Sequence, residues 1–275
     1  MRRPVETCLL VLIFFAGASS YAQSKSGSGW IEDDSSGLHA EVDKNSGAVV
    51  LKLGVEHSKK LEPIPFKLQV GEVFDEGILR RRSKFNWYRI PEWLAGKWQR
   101  QQESIVSTYD YQTGRKSRMN KSITSQQIAD YGVQKDRQGA IWSCDLSGKG
   151  SSNRGSFKSV ALIRSHYPVR QTAQEIVFKE EFVVLNVMNE TNAIMDSFIV
   201  ESITRLKPVK RGLLETTMSA QVYLADGTPK VQQESRAYDR LIKPYTSVDT
   251  YKGIDVRQDF IKFLESSNLG SLVPE

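Results

Sequence analysis

The sequence predicts a mainly β fold: an antiparallel up-and-down β-barrel of about eight strands, with an N-terminal β-hairpin extension and a C-terminal helix. From residue 98 onward, runs rich in Val, Ile, Thr, Tyr and Phe follow one another. In one run, Met218, Ala220 and Val222 alternate with polar side chains, which is typical of a sheet with one wet face. The connections are short, which favours antiparallel neighbours, and closure into a barrel would remove exposed edges.

The predicted strands lie between turn signals that contain Gly, Pro, Asn and Asp. A short Ser- and Gly-rich segment, 147–155, is interpreted as one of the breaks. The predicted strands are 98–111, 122–134, 140–146, 157–169, 175–189, 193–206, 214–225 and 231–242. Together these strands make residues 90–245 a single predicted barrel domain.

The flanking regions have different patterns. Arg2 and Arg3, an apolar stretch at 9–18 and Ser20-Tyr21-Ala22 have the order of a secretory signal peptide with cleavage after Ala22. A flexible linker is predicted at 23–29 and an extension with a β-hairpin at 30–89. In the tail, 246–275, apolar residues recur at helical spacing over 254–266, so we expect a helix packed on the barrel exterior.

Composition narrows the class of protein. The chain has 275 residues and a formal net charge of +6, with 39% hydrophobic and 25% charged residues. These values are typical of a globular protein and argue against a disordered one.

Signal-peptide cleavage would place the protein in the periplasm or secrete it, and would leave Cys144 as its one cysteine. A disulfide scaffold and a cysteine-rich zinc site are therefore not expected.

A short motif opens the predicted barrel. Gly96-x-Trp98 follows a turn and begins the first strand. This start resembles that of the lipocalins, within the wider calycin group of β-barrels, and the resemblance covers roughly residues 91–244. It implies that Trp98 closes one end of the barrel. It also implies that a basic side chain of the last strand, Arg236 or Arg240, packs across the tryptophan ring.

The sequence gives no catalytic motif. His39, His57 and His166 are far apart, and none lies in a His-x-His or His-Glu-x-x-His spacing, so no metal site is predicted. No Gly-x-Ser-x-Gly elbow or glycine-rich phosphate loop is present. A Ser-His-Asp set assembled from distant residues stays open. No cofactor is expected.

The leading functional hypothesis is an exported binding protein that holds a small hydrophobic ligand in the barrel, because an eight-stranded barrel has room for one small ligand. Aromatic and methionine side chains provide an adaptable apolar wall. The candidate ligand-binding residues are Phe178, Phe182, Met188, Met195 and Phe198.

Two alternatives belong to other classes. A structural or assembly factor of the cell envelope would dock an acidic protein or membrane surface through a basic surface; nucleic acid is not an expected partner of an exported protein. The residues of that surface are Arg80, Arg81, Arg82, Lys84 and Arg89.

A barrel enzyme of unknown reaction would use polar interior groups. Its candidates are Gln233, Ser235 and Asp239 on the last strand, with Tyr109 or Tyr111 on the first.

Overall fold

The structure is a computed structural model that describes residues 55–75, 77, 85–146, 149–251 and 253–274. The predicted signal peptide, linker and hairpin lie outside the described residues, as do Arg80, Arg81, Arg82 and Lys84.

The described part of the chain contains thirteen strands and one α-helix, with short 3-10 helices at Phe66–Leu68, Glu92–Leu94 and Gly270–Leu272. The strands are β1 (Tyr88–Ile90), β2 (Gly96–Asp110), β3 (Lys116–Tyr131), β4 (Gln134–Lys135), β5 (Ile141–Ser143), β6 (Lys149–Asn153), β7 (Phe157–Gln171), β8 (Ile176–Met188), β9 (Ile194–Lys210), β10 (Leu213–Tyr223), β11 (Pro229–Pro244), β12 (Thr250–Tyr251) and β13 (Ile254–Asp255). The helix α1 spans Val256–Ser266.

The main sheet has eight antiparallel strands in the order β3-β2-β11-β10-β9-β8-β7-β6. It curls into a half-barrel. Tyr131 of β3 stacks on Phe178 of β8, with ring centroids 6.1 Å apart, although these strands are distant in the strand order. Their side chains therefore meet across the concave face. The mainly β, antiparallel up-and-down fold with a C-terminal helix is confirmed.

The concave face is filled in layers. One apolar layer, which includes Trp98, Phe178 and Leu206, lies at one end of the half-barrel. A second apolar layer, which includes Phe182 and Phe198, lies farther along the same strands. Buried charged and polar side chains separate the two layers.

One strand of the main sheet differs from the sequence prediction. The predicted third strand, 140–146, forms β5, which pairs with β1 and β4 in a separate three-stranded sheet. The eighth strand is instead β6, inside the segment interpreted as a break. The polar Ser- and Gly-rich composition of β6 suits a sheet edge, because an edge strand has few side chains to bury.

The small sheet and α1 form a unit that we call the cap: β1, β4, β5 and α1. Asp255 starts the helix by accepting a hydrogen bond from the Gln258 backbone N–H at 2.8 Å. The apolar face of α1 packs against Trp87 and Trp142, and Trp87 also donates to Asp259 at 2.9 Å. The predicted helix is confirmed, but its aromatic partners lie just before β1 and on β5, so it packs on the small sheet rather than directly on the strands of the main sheet.

Residues 55–75, which we call the strap, cross the convex face. Backbone N–H groups of Leu61 and Ile64 donate to carbonyls of the β10–β11 turn at 3.0 and 2.8 Å. Ile64 and Phe74 are buried against β8 and β9. Gly227 is required at this crossing because it has a φ of 83° and an added Cβ would lie 2.0 Å from the Leu61 carbonyl oxygen.

Candidate functional site

A buried ionic network lies between the two apolar layers of the concave face. The Arg100 guanidinium donates to both Asp239 oxygens, at 2.8 and 3.1 Å, and to Glu103 at 3.1 Å. Thr216 also donates to Asp239, at 2.6 Å, and Ser235 donates to Glu103. This fork geometry satisfies a guanidinium that is removed from water.

The contacts within the network determine the charge of Arg100. Burial opposes the charge on Arg100, but the adjacent carboxylates of Asp239 and Glu103 raise its pKa above the usual range. Burial raises the pKa of Glu103, and the nearby guanidinium only partly offsets this effect. Arg100 therefore stays cationic and has its charge balanced within the network.

A cavity of about 30 Å³ lies beside this network, where the cap meets the concave face. This is room for two or so water molecules. The residues that line it come from β1, β2, β3, β5, β7, β8 and β9 and the turn after β5: Tyr88, Arg100, Asp130, Tyr131, Ser143, Cys144, Asp145, His166, Phe178, Glu180 and Thr204. We call it the seam cavity, because it lies where the two ends of the curled sheet approach each other.

Four rings form one wall of the seam cavity. The Phe178 ring centroid lies 5.7 Å from that of Tyr88 and 5.0 Å from that of His166. Tyr88 and His166 lie 5.9 Å apart, and Tyr131 stacks on the other side of Phe178. These rings, supplied by strands β1, β3, β7 and β8, join the cap to the half-barrel.

The two tyrosines remain neutral phenols. Burial raises the pKa of Tyr88 well above its usual range, and only a hydrogen bond with Ser143 opposes this effect. Burial also raises the pKa of Tyr131, with a smaller contribution from the charge of Asp239. Their rings therefore keep the electron-rich faces of uncharged phenols.

A second polar cluster lies on the convex face, under the strap. His57 Nδ1 lies 2.9 Å from Glu201 Oε2, and His57 Nε2 lies 2.9 Å from Ser219 Oγ. Ser58 donates to Glu201 from its backbone N–H at 2.8 Å and from its hydroxyl at 2.6 Å. Lys179 adds an ion pair to Glu201 at 2.8 Å.

The Ser219-His57-Glu201 contacts have the connectivity of a catalytic triad, but their surroundings favour a structural role. Ser219 has no exposed surface, and Gln232 donates to its hydroxyl at 2.9 Å. A substrate cannot reach this hydroxyl while the strap is in place, and removing the strap removes His57. We interpret the cluster as the polar anchor of the strap.

The anchor depends on a charged Glu201. Burial by itself would raise the pKa of this carboxyl, but hydrogen bonds from His57, Lys179 and Ser58 outweigh burial and lower the pKa to about 2. Glu201 is 1% exposed. It is therefore an ionised carboxylate that holds strap donors against the sheet.

The structure separates the candidate ligand-binding residues. Phe178 lines the seam cavity, whereas Phe182 and Phe198 pack in the second apolar layer. Met188 is half-buried at the end of β8, and Met195 at the start of β9 is 39% exposed. Of the five, Phe178 alone lines the seam cavity.

The barrel-closing residues lie on two faces. Trp98 is buried on the concave face, and its indole N–H donates to the Leu94 carbonyl at 2.7 Å. Gly96 has no room for a side chain, because an added Cβ would lie 2.7 Å from Leu241. Arg236 and Arg240 lie on the convex face, and Arg236 pairs with Glu215. The structure thus does not bring either arginine to the Trp98 ring.

The polar candidates of the last strand are all buried. Asp239 and Ser235 belong to the ionic network, and Gln233 lies on the same face. Tyr109 and Tyr111 lie on the convex face, where their rings contact each other with centroids 4.8 Å apart. The structure does not unite these five residues in one site.

Among the predicted docking residues, Arg89 is described. Its guanidinium lies 4.9 Å from the centre of the Trp142 ring and 3.4 Å from Asp136. Arg89 thus contributes to the packing of the cap. The docking role of the basic surface stays a prediction.

Sequence reasoning missed most of the seam cavity. Tyr88, Tyr131 and His166 lie on strands that are far apart along the chain, so no local spacing relates them. Glu180 lies on β8, and no motif in the sequence marks it as a site residue. The signal that could have indicated the interior charges is the alternation of Arg100 and Asp239 with outward residues on strands β2 and β11, which pair.

No known protein family, curated protein or solved structure matches this chain. Among the described residues, no group of three or more His, Cys, Asp or Glu side chains is placed to hold a metal ion. No helix in the described ranges has the length and apolar character to cross a membrane. Fold and site therefore define the class: a curled antiparallel sheet with a capped, ring-lined cavity at its seam.

Proposed function

We propose that the chain is an exported binding protein that holds a small, largely apolar ligand in the seam cavity. The observation that carries the proposal is the wall of four rings, Tyr88, Tyr131, His166 and Phe178, beside a cavity where the cap meets the half-barrel. Small-ligand sites typically combine such an apolar wall with a few convergent polar groups.

The polar groups would orient the ligand. Arg100 is held rigidly by its two carboxylates, and Thr204 supplies a hydroxyl from β9. Tyr88, His166 and Thr204 are partly exposed, so the cavity lies near the surface, and a ligand larger than two water molecules requires the seam to open. Binding at this position, rather than at the barrel axis, modifies the function that the lipocalin resemblance implies.

The test is a screen of small neutral, anionic and cationic molecules by saturation-transfer NMR. We expect at least one class to bind saturably to the wild-type protein and to lose binding in Thr204→Phe, which fills the cavity. Met195→Phe is the matched control, because Met195 is 39% exposed and lies outside the cavity. The absence of binding by every class, or equal loss in both variants, would overturn the proposal.

A further inference from the structure

The end of the convex face that is farthest from the strap is exposed and basic. The strap crosses this face beside the β10–β11 turn, whereas the β9–β10 turn lies at the other end of strand β10. Cations and apolar side chains lie together there, in a set that we call the rim patch: Val209, Lys210, Arg211, Tyr238, Arg240 and Ile242.

Strand register brings the rim patch together. Leu213 of β10 is paired with Lys210 of β9 on one side and with Arg240 of β11 on the other, and paired residues point to the same face of a sheet. Tyr238 and Ile242 lie two residues before and after Arg240, so they share its face. Three neighbouring strands thus present cations and apolar side chains to the same region of solvent.

The cations of the rim patch have no counter-charge in the part of the chain that the structure describes. Lys210, Arg211 and Arg240 are exposed, and none of them forms an ion pair with a described carboxylate. Glu215 is the register partner of Tyr238, but this carboxylate already pairs with Arg236. The rim patch therefore has a net positive charge that is available to an anionic partner.

Apolar surface is exposed among these cations. Val209 is 53% exposed, and Tyr238 and Ile242 are each 48% exposed. Apolar side chains that are grouped in water and bordered by charges are typical of an interaction site. The three side chains project from a convex face, so a deformable partner can enclose them, whereas a folded protein would need a matching hollow.

We propose that the rim patch docks the protein on a lipid bilayer rich in anionic lipid. Its three cations contact the lipid phosphates, and its three apolar side chains enter the headgroup layer. Long basic side chains keep their charges at the phosphates while their apolar neighbours reach deeper. Tyrosine suits this depth because its ring is apolar and its hydroxyl is polar. The proposal is independent of the seam cavity, which lies on the concave face.

Co-sedimentation with lipid vesicles tests the role of the cations. The vesicles contain phosphatidylcholine alone or an equimolar mixture with phosphatidylglycerol, and we expect binding to the mixture only, weakening as salt is added. Each basic side chain near an anionic surface strengthens binding about fivefold. Arg211→Gln combined with Arg240→Gln should therefore weaken binding about twentyfold. The matched control is Arg115→Gln combined with Lys116→Gln, which removes the same charge from exposed positions at the β2–β3 turn.

A second pair of variants distinguishes a bilayer from an acidic protein. Ile242→Ser should weaken binding to the mixed vesicles several-fold and leave binding to polyglutamate, a soluble polyanion, unchanged. Val106→Ser is the matched control, because Val106 is also 48% exposed and lies outside the rim patch.

Three results would each overturn the proposal. The first is equal binding to both kinds of vesicle, and the second is equal loss of binding in the two double variants. The third is polyglutamate binding as tight as vesicle binding together with no effect of Ile242→Ser, which would indicate an acidic protein as the partner.

Discussion

Replacing Glu201 by Gln tests whether the strap is anchored by a buried carboxylate. The substitution keeps the size of the side chain and removes its charge. It also puts an amide N–H₂ where one carboxylate oxygen accepts hydrogen bonds. If the amide replaces Oε1, the Ser58 hydroxyl at 2.6 Å and Lys179 at 2.8 Å lose their acceptor. If it replaces Oε2, the Ser58 N–H at 2.8 Å and His57 at 2.9 Å lose theirs.

The expected loss is about 3 kcal/mol. The pKa of Glu201 falls from 4.5 to about 2, and at about 1.4 kcal/mol per pKa unit this corresponds to roughly 2 to 3 kcal/mol after allowance for solvent screening. Independently, removing one partner of a buried ion pair is known to cost about 3 to 5 kcal/mol. The two values agree in scale.

The lowered pKa of Glu201 also makes its contribution to stability depend on pH. A carboxylate with a lowered folded pKa contributes stability that is complete above its unfolded pKa and is lost as the pH falls through its folded pKa. The difference in unfolding free energy between wild type and Glu201→Gln should therefore be largest above about pH 5 and shrink toward about pH 2.

Urea unfolding at several pH values measures this difference, and hydrogen exchange of residues 55–75 locates it. Faster exchange in the strap, with exchange in the ionic network around Arg100 unchanged, is the expected pattern. Glu190→Gln serves as the control, because Glu190 is exposed. A difference below about 1 kcal/mol, or one that does not vary with pH, would refute the anchor.

Three further predictions concern other parts of the chain. Trp98→Ala should cost about 3 to 5 kcal/mol in thermal or urea unfolding, because Trp98 is 2% exposed; an unchanged transition would contradict its place in the core. Ser219 should resist a fluorophosphonate probe in the folded protein, since it has no exposed surface, and stoichiometric labelling would instead indicate a reactive nucleophile. N-terminal sequencing of exported protein should begin at or near Gln23, and an intact Met1 would argue against signal-peptide cleavage.

The sequence predicted the architecture because strand signals are local. Alternation in the run that contains Met218 and Ala220 identified β10, and apolar residues at helical spacing identified α1. It did not predict that residues 141–143 leave the main sheet, because an apolar run gives no information about its partner strand. The position of α1 was missed for the same reason, since contact with Trp87 joins segments far apart along the chain.

The candidate site depends on such long-range contacts almost entirely. Phe178 was predicted as a ligand residue from its type alone, and it lines the seam cavity. Tyr88 and His166 come together with it only because the cap meets the curled sheet at one end. Glu180 and Arg100 are charged residues on strands, where the usual expectation is a solvated face. Their burial follows from curling, which no local pattern encodes.

The central claim is that the seam cavity binds a ligand, and NMR of the labelled protein during titration with the tightest ligand of the screen tests it most directly. We predict that the signals of Tyr88, Tyr131, His166 and Phe178 shift together with one saturation curve. Phe66, Val70 and Val73, which are apolar, exposed and located on the strap, provide the internal comparison. Shifts confined to those strap residues, with the four ring signals unmoved, would contradict the claim.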